Sequence, residues 1–584
     1  MQRKLYVLLA IIVMLAFTTL LVACGRDNQP AATPTPATPT PAPAPTNGGA
    51  EDPDPAEELT SWRIDTSPIT FSLLLGDSAV VHLDWGNCEI TQFVTEKTGV
   101  NIEIMHSTGA DMVNALMATN DLPDIVMIGT APWRDFIEGG LVYQLCELAE
   151  RYDPTFFDKT LEQVRLWAIG LAQTTAPGYA PEGSLWWYPG HAWDMETAAK
   201  WSHTFNSNFS FAVRRDIWED IGSPDMTTQD SFLQAFRDAH AMFPTINGAP
   251  LHSMAIFDFG ETGSWSFDEL LLNLLAVPHV INGDEWFDRR SDSCFREWHN
   301  VLRQMFYEGM FTRTLIIETW DQISERLARG EYFSALVQQA GFASQFGALY
   351  AQDPRSTYIP IDGPKNYRGD PHLFGAGGIA GWLRWGVTKN AHDPARAMRF
   401  ITYMVSEEGR FDMYMGIEDV HWSWNDAGEA IWFPHIQDLV AEGPASTQPI
   451  GLALSWSSWI QPALEIGWQE ANRAARPPGE RGPMDAWRDF FAERGTHQWW
   501  WNGGMWPPAG TREADIINSV EFAYGRLMPQ WLMAETREEF DRLWAEYDAY
   551  VIASGFNEYV IPWRTNILRQ NLRNLGLERA PITR

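Results

Sequence analysis

Six tryptophans stand where an indole could do chemistry rather than fill a core. The chain carries 29 tryptophans, and many lie in polar, turn-rich sequence. Trp85 and Trp133 follow predicted strands, Trp187 sits in the loop-like "LWWYPG", and Trp385, Trp422 and Trp424 lie in Gly- and Asp-containing stretches further on. A flat indole suits the apolar face of a sugar ring, while neighbouring Asp, Asn, His and Arg satisfy the hydroxyls. These six are the candidate ligand contacts, with packing in the core as the alternative for each. Trp218 and Trp544 fit the core faces of predicted helices and are set aside. His421, next to Trp422, reads as a hydrogen-bonding neighbour rather than a metal ligand.

Covalent chemistry finds little support. The sequence contains no HExxH, GxSxG or P-loop pattern. Gly375 to Ala380 matches GxGxxA, but no buried strand is predicted before it, so its glycines suit a loop near a ligand or hinge better than a dinucleotide. With 75 acidic residues, some carboxylate pair will always have the composition of a glycosidase site, and without geometry such a pair carries no weight. No cofactor and no metal are expected.

The N-terminus points to a membrane surface. Arg3 and Lys4 precede an apolar run from Leu5 to Val22, the pattern of an export signal. Leu21-Val22-Ala23-Cys24 resembles the lipobox of bacterial lipoproteins, in which the signal is cut before the cysteine and the sulfur is acylated. Cys24 is thus the expected lipid attachment, with an uncleaved signal anchor as the alternative. Asn28 to Glu58 is rich in Pro, Ala, Thr and Asp with almost nothing to bury, so it reads as an extended tether. At about 3.1 Å per residue, such a segment reaches on the order of 90 Å. The expected organisation is a signal over 1–23, a lipidated tether over 24–66 and a folded body over 67–584.

That body is long enough for two or three domain-sized cores. The formal net charge is -33, a surface that repels nucleic acid and anionic lipid. Cys88, Cys146 and Cys294 are too few and too scattered for a disulfide framework. One disulfide with one thiol left over, or three buried thiols, both fit.

Periodicity supplies the elements that would position the tryptophans. Ile69 to Leu75 reads as a buried strand, Asn87 to Thr98 as a helix closed by Gly99, and Val100 to Ile104 as a second strand. Asp111 to Thr119 reads as a helix and Ile125 to Ile128 as a third strand. This β-α-β-α-β order implies a parallel sheet with right-handed crossovers. Ligands of such sheets sit beyond the carboxyl ends of the strands, which here are Gly76 to Trp85 and Gly129 to Trp133. Later, Thr227 with Asp230 resembles a capping box before Phe232, Phe236, Ala239 and Phe243. Asp393-Pro394 opens a helix, and Phe540, Leu543, Trp544, Tyr547 and Val551 form an apolar stripe ended by Gly555.

Five segments in this order, "EKTGVNIEI", "ALMATNDLPDIVMIG", "FAVRRDIWEDIGSPDMTTQDSF", "ARAMRFITYMVSEEGRFDMYMGIEDVHW" and "WAEYDAYVIASGFNEYV", resemble the landmarks of the family 1 extracellular solute-binding proteins. These are lipoprotein receptors of sugar-type ABC importers. The resemblance spans Ile69 to Asn571. It implies an α/β fold of two interleaved lobes in the periplasmic-binding-protein manner, with a hinge of several crossings and ligand in the cleft between lobes. It also places Trp385, Trp422 and Trp424 in second-lobe loops. Many relatives carry a "DPDGNG"-like turn where this chain has "FPTINGAP", Phe243 to Pro250, without an acidic residue, so a calcium site is not expected there. The implied function is that of a non-enzymatic, monomeric, lipid-anchored receptor on the outer face of the cytoplasmic membrane. It would take a carbohydrate, an oligosaccharide in particular, and deliver it to ABC permease subunits. A peptide receptor on the same fold, a secreted glycan-active enzyme and a surface adhesion protein are the rivals.

Overall fold

Strand β1 (Ile69–Leu75) opens the fold with Phe71, Leu73, Leu74 and Leu75 all buried. The computed structural model describes residues 61–76, 85–129, 133–190, 192–200, 209–257, 259–376, 383–442, 444–452, 462–476, 482, 484–492, 494, 497–498 and 504–581. The signal, Cys24 and the tether as far as Thr60 lie outside them; the last residues expected in the tether, 61–66, belong instead to the folded body, where Ser61–Ile64 forms a 3-10 turn and Trp62 is buried against Tyr403. Helix α1 (Glu89–Thr98) stops at Gly99, which takes a left-handed φ of 73° and donates its N–H to the Thr95 carbonyl. A side chain there would collide with the carbonyl of Thr66, so glycine alone lets the chain turn straight into β2 (Val100–His106). β2 pairs in parallel with β1 along its whole length, from Ile69 opposite Val100 to Leu75 opposite His106. Helix α2 (Ala110–Thr119) leads to β3 (Ile125–Ile128), buried throughout and parallel to β1 on its other side. The expected β-α-β-α-β unit is present. Helices α3 (Trp133–Glu138) and α4 (Glu162–Thr175) cover it, and β4 (Tyr188–Pro189) ends this part of the chain.

The next strand, β5 (Phe209–Arg214), belongs to a different sheet. Helix α5 (Gln229–Met242) is capped by Thr228 and Ser231, one residue later than the predicted pair. Thr227 turns its hydroxyl to Asp225 instead, at 3.0 Å. The buried face of α5 is Phe232, Phe236 and Ala239, as its spacing predicts. In "FPTINGAP", Asn247 and Gly248 take φ of 52° and 84° and close a two-residue hairpin turn. There follow β6 (His252–Ile256), α6 (Ser293–Tyr307), α7 (Trp320–Ala328), β7 (Tyr332–Gln338), α8 (Gln339–Gln352) and β8 (Tyr358–Ile361). The second sheet has the order β8-β5-β7-β6, with β6 parallel and β5 antiparallel to β7.

The chain then returns. Strand β9 (Arg384–Val387) inserts between β3 and β4, antiparallel to both, and completes a first sheet of order β2-β1-β3-β9-β4. Asp393 caps α9 (Pro394–Val405) by accepting from the Arg396 N–H at 2.9 Å, with Pro394 in the first turn. Helix α10 (Glu407–Met415), the hairpin β10 (Trp422–Trp424) and β11 (Ala430–Trp432), and α11 (Pro462–Ala474) follow. Three long helices finish the chain: α12 (Arg512–Leu532), α13 (Arg537–Ala553) and α14 (Ile561–Asn574). The α13 stripe is buried as predicted, with the Trp544 ring tilted against Trp531 at 4.4 Å.

Two separate cores result. One gathers residues between Trp62 and Trp193, then between Leu383 and Ile466. The other gathers residues between Phe211 and Phe374, then from Trp487 onward except Leu575, which joins the first core. The lobes are therefore interleaved in sequence. Trp385 and Trp422 belong to the first core, and Trp424 packs on Phe411 of the same lobe. The resemblance had placed all three in the second lobe; the difference arises because β9 re-enters the first sheet. Among the described residues, Cys88, Cys146 and Cys294 keep their thiols without a disulfide.

Candidate functional site

Strand direction locates the cleft. In the first sheet, Ile128, Pro189 and Arg384 lie side by side at the carboxyl end of β3. In the second, Phe209 lies opposite Gln338, at the carboxyl end of β7, and Ile361 ends β8 on the same side. The chain leaves Pro189 to enter Phe209, and leaves Ile361 to enter Arg384. Both connections thus run from the carboxyl edge of one sheet to the carboxyl edge of the other. The two sheets are joined through their carboxyl edges, and these edges are where α/β sheets bind ligands. Gly375–Ala376, on the return connection, pairs in parallel with His497–Gln498. The Arg134 guanidinium, one residue into α3, donates to the Ala509 carbonyl at 3.1 Å and joins first-lobe to second-lobe chain.

The second edge carries an aromatic platform. Phe257 directly follows β6, and Trp320 opens α7, whose capping box of Thr319 and Gln322 fixes its first turn. Their rings stack at 4.9 Å and 16°, Trp265 meets Phe257 edge-on at 5.1 Å, and Phe342 of α8 backs Trp320 at 4.4 Å. Trp265 is 38% exposed, so the platform presents a flat apolar surface to solvent. Three residues on from Trp265, burial pushes the carboxyl of Asp268 up to about 7 against the pull of Arg290. Arg290 itself pairs with Glu521 at 2.9 Å. Phe257 and Trp320 were not among the sequence candidates. Their signal was positional, one residue past a parallel strand and one past a helix cap, and it needed the second sheet to be recognised first.

The first edge carries the other groups. Trp133 packs against Trp187 at 5.0 Å and donates to the Ile128 carbonyl at 3.5 Å. Trp385 lies in the sheet against Tyr188 at 5.5 Å. The Arg384 guanidinium sits over the Trp187 ring at 5.1 Å. Gly129, just beyond β3, has open space where a side chain would stand.

The six candidate tryptophans do not form one surface. Trp133, Trp187 and Trp385 cluster around the end of β9 and are buried. Trp85 is buried elsewhere in the lobe, bonded to Thr95 at 3.0 Å and edge-on to Phe400. Trp422 is buried, edge-on to Phe411 and donating to the Gly416 carbonyl at 2.9 Å. Trp424, 55% exposed, alone of the six offers an open face. His421 donates to no metal-like cluster: its Nδ1 accepts from the Ile417 N–H at 2.9 Å, and its Nε2 lies 3.3 Å from Glu89. Among the described residues no group of three or more His, Cys, Asp or Glu could hold a metal ion. Nor is any described helix long and apolar enough to cross a membrane. A groove of about 800 Å³, lined by residues such as Trp286, Asp288, Tyr547 and Asn566, lies within the second lobe rather than between the two.

Comparison with known proteins agrees with this architecture. The family model described as "Bacterial extracellular solute-binding protein" matches residues 90–420. No curated protein sequence matches the chain. Among solved structures, the fold is similar to that of the alginate-binding protein AlgQ2 without calcium ion, at 16% identity and a TM-score of 0.58, over 88% of this chain and 100% of that one. It is similar to an HMO-binding, ABC-transporter-associated solute-binding protein from Bifidobacterium longum infantis, at 15% identity and a TM-score of 0.60, over 87% and 99%. It is also similar to the S. pneumoniae ABC-transporter substrate-binding protein FusA in complex with kestose, at 14% and 0.61, over 87% and 100%.

Proposed function

Since the chain belongs to the bacterial extracellular solute-binding proteins, we propose that it is a receptor that captures an oligosaccharide in its interlobe cleft and delivers it to the membrane subunits of an ABC importer. The observation that carries this reading is the pair of carboxyl edges joined by the chain crossings, with the Phe257, Trp265 and Trp320 platform at one and the Trp133, Trp187 and Arg384 group at the other. Stacked aromatics suit sugar rings better than they suit peptides or nucleotides. The solved relatives described as binding alginate, HMO and kestose support the ligand class.

In this reading the platform supplies most of the affinity. Hydroxyl groups exchange water hydrogen bonds for protein ones at little net gain, about 0.5–1.5 kcal/mol each. Stacking on an indole removes apolar surface from water at low entropic cost. Cys24 anchors the receptor through lipid, and the segment after it is the tether. The first lobe's buried tryptophans hold the edge in shape, and Trp424 is an outlying contact for a longer ligand.

Calorimetry against a panel of mono- and oligosaccharides, with short peptides alongside, tests the ligand. Recovery of the bound sugar intact is expected. Release of reducing ends at catalytic rates would replace the receptor with a glycan-active enzyme, and binding of peptides alone would replace the ligand class. Cys24→Ala should abolish incorporation of labelled fatty acid; persistent labelling would remove the anchor.

A further inference from the structure

Arg384 is an electrostatic anomaly. It is 3% exposed, and among the described residues its Nη1 has no hydrogen-bond partner and no carboxylate forms an ion pair with it. The Trp187 ring lies against the guanidinium, 5.1 Å from centroid to Cζ. A buried charge is ordinarily paired, because taking it from water without a partner is among the costliest things a fold can do. The cost is visible in the guanidinium itself, whose pKa burial brings down to about 10. Nearby arginines show the ordinary solution: Arg410 is equally buried and bonded to Glu465, and Arg396 reaches Asp65 at 2.8 Å.

Its position gives the cost a purpose. Arg384 is the first residue of β9, level with Ile128 and Pro189 at the carboxyl edge that the cleft uses, and next to the open space at Gly129. A guanidinium packed on an indole still offers a planar fork of N–H donors, the geometry that matches a carboxylate. We propose, resting on the receptor reading above, that the solute is an acidic saccharide and that Arg384 receives the carboxylate of one of its sugar rings, with Trp187 packed against the guanidinium. The missing ion-pair partner of Arg384 is thereby the ligand itself. Since the chain as a whole carries a charge of -33, selection of an anion depends on this local group and not on the long-range field.

The test uses the full chain and paired probes: oligogalacturonates and oligoglucuronates of two to four rings, each beside its methyl ester, with maltotriose as a neutral sugar. In the wild type an acid should bind about a hundredfold tighter than its ester. Arg384→Met should bring acid and ester to within about threefold, and Arg384→Lys should keep part of the preference. Equal binding of acid and ester by the wild type, or a preference that survives Arg384→Met, overturns the proposal. Binding of maltotriose or esters with no acid bound sinks the acidic ligand and leaves the receptor standing; binding of no sugar sinks both. Melting without ligand gives a second reading. Replacing an unpaired buried charge by an apolar side chain of similar length should leave the melting temperature unchanged or raise it, whereas a fall of more than about 5 °C would make Arg384 a structural residue and overturn the proposal.

Discussion

Trp320 lies parallel to Phe257, ring centroids 4.9 Å apart at 16°, and so joins the first turn of α7 to the end of β6. The stack fixes the height of the platform on which Trp265 stands half-open. Trp265→Ala removes the exposed ring without opening the core, so it should weaken oligosaccharide binding by about 2 kcal/mol, roughly thirtyfold, with little change in melting temperature. Trp531→Ala, which empties a site in the second core beside Trp544, should cost about 3–5 kcal/mol of stability instead. Calorimetry and thermal melts of the two variants separate the roles. Normal sugar affinity in folded Trp265→Ala would move the ligand off this platform.

How far the sequence reveals all this depends on the range of the interactions. The parallel unit from β1 to β3 is legible because its strands, helices and the Gly99 stop are all set by residues within a few positions of one another. Asp393-Pro394 and the α13 stripe are legible for the same reason. The lobe assignment of Trp385 is not: it depends on β9 pairing with β3 some 260 residues earlier, Arg384 opposite Ile128, and no local pattern records which sheet a four-residue strand joins. The tryptophans show the same limit. Polar, turn-rich surroundings are shared by Trp424, which is open, and by Trp85, which is buried against Thr95 and Phe400. Arg384 leaves no trace in sequence at all, since an unpaired charge is defined by what fails to surround it.

Acid should loosen the first lobe through Asp124. Its carboxylate accepts from the Ser72 N–H and hydroxyl at 2.8 and 2.6 Å, and from the His392 N–H and Nδ1 at 2.9 and 2.7 Å. It thereby ties β1 to the start of β3 and to the entry of α9. Burial pushes its pKa up, but these hydrogen bonds more than offset that and hold it below the ordinary carboxylate value. A depressed folded pKa contributes stability that is present above the unfolded pKa, about 3.9, and is lost as pH falls through the lower folded value. Denaturant titrations should therefore show a drop in wild-type stability below about pH 4 that is smaller in Asp124→Asn. The variant should also be less stable at pH 7, by about 1–3 kcal/mol, because its amide cannot accept all four bonds. Parallel pH profiles for the two proteins would exclude the carboxylate as the source.

The Arg410 and Glu465 pair makes a second stability prediction. It links α10 to α11 with both side chains fully enclosed, Nε donating to Oε1 at 2.9 Å. Burial raises the Glu465 carboxyl, against the pull of Arg410. Glu465→Ala strands a buried guanidinium and should cost about 3–5 kcal/mol, while Arg410→Met with Glu465→Leu removes both charges and should cost far less or nothing. A double-mutant cycle in urea measures the difference. Additive losses would mean that water reaches the pair.

Ligand should close the two lobes. The hinge includes chain segments that leave one carboxyl edge and enter the other, between Pro189 and Phe209 and between Ile361 and Arg384, and a third crossing lies between Ile466 and Trp487. Rotation about them changes the distance between the platform at Trp265 and the edge at Arg384, and each lobe carries a core of its own, the two meeting where Leu575 of the C-terminal chain packs into the first core. A sugar bound at micromolar affinity supplies about 8 kcal/mol, and only the part that differs between open and closed forms can drive closure. A ligand touching both edges has such a difference; one held by a single lobe does not. Small-angle scattering should accordingly show a smaller radius of gyration when the cognate oligosaccharide is added. Trp265→Ala should need about thirtyfold more sugar to reach the same compaction. Saturating sugar that leaves the scattering curve unchanged would place the ligand on one lobe and not between two.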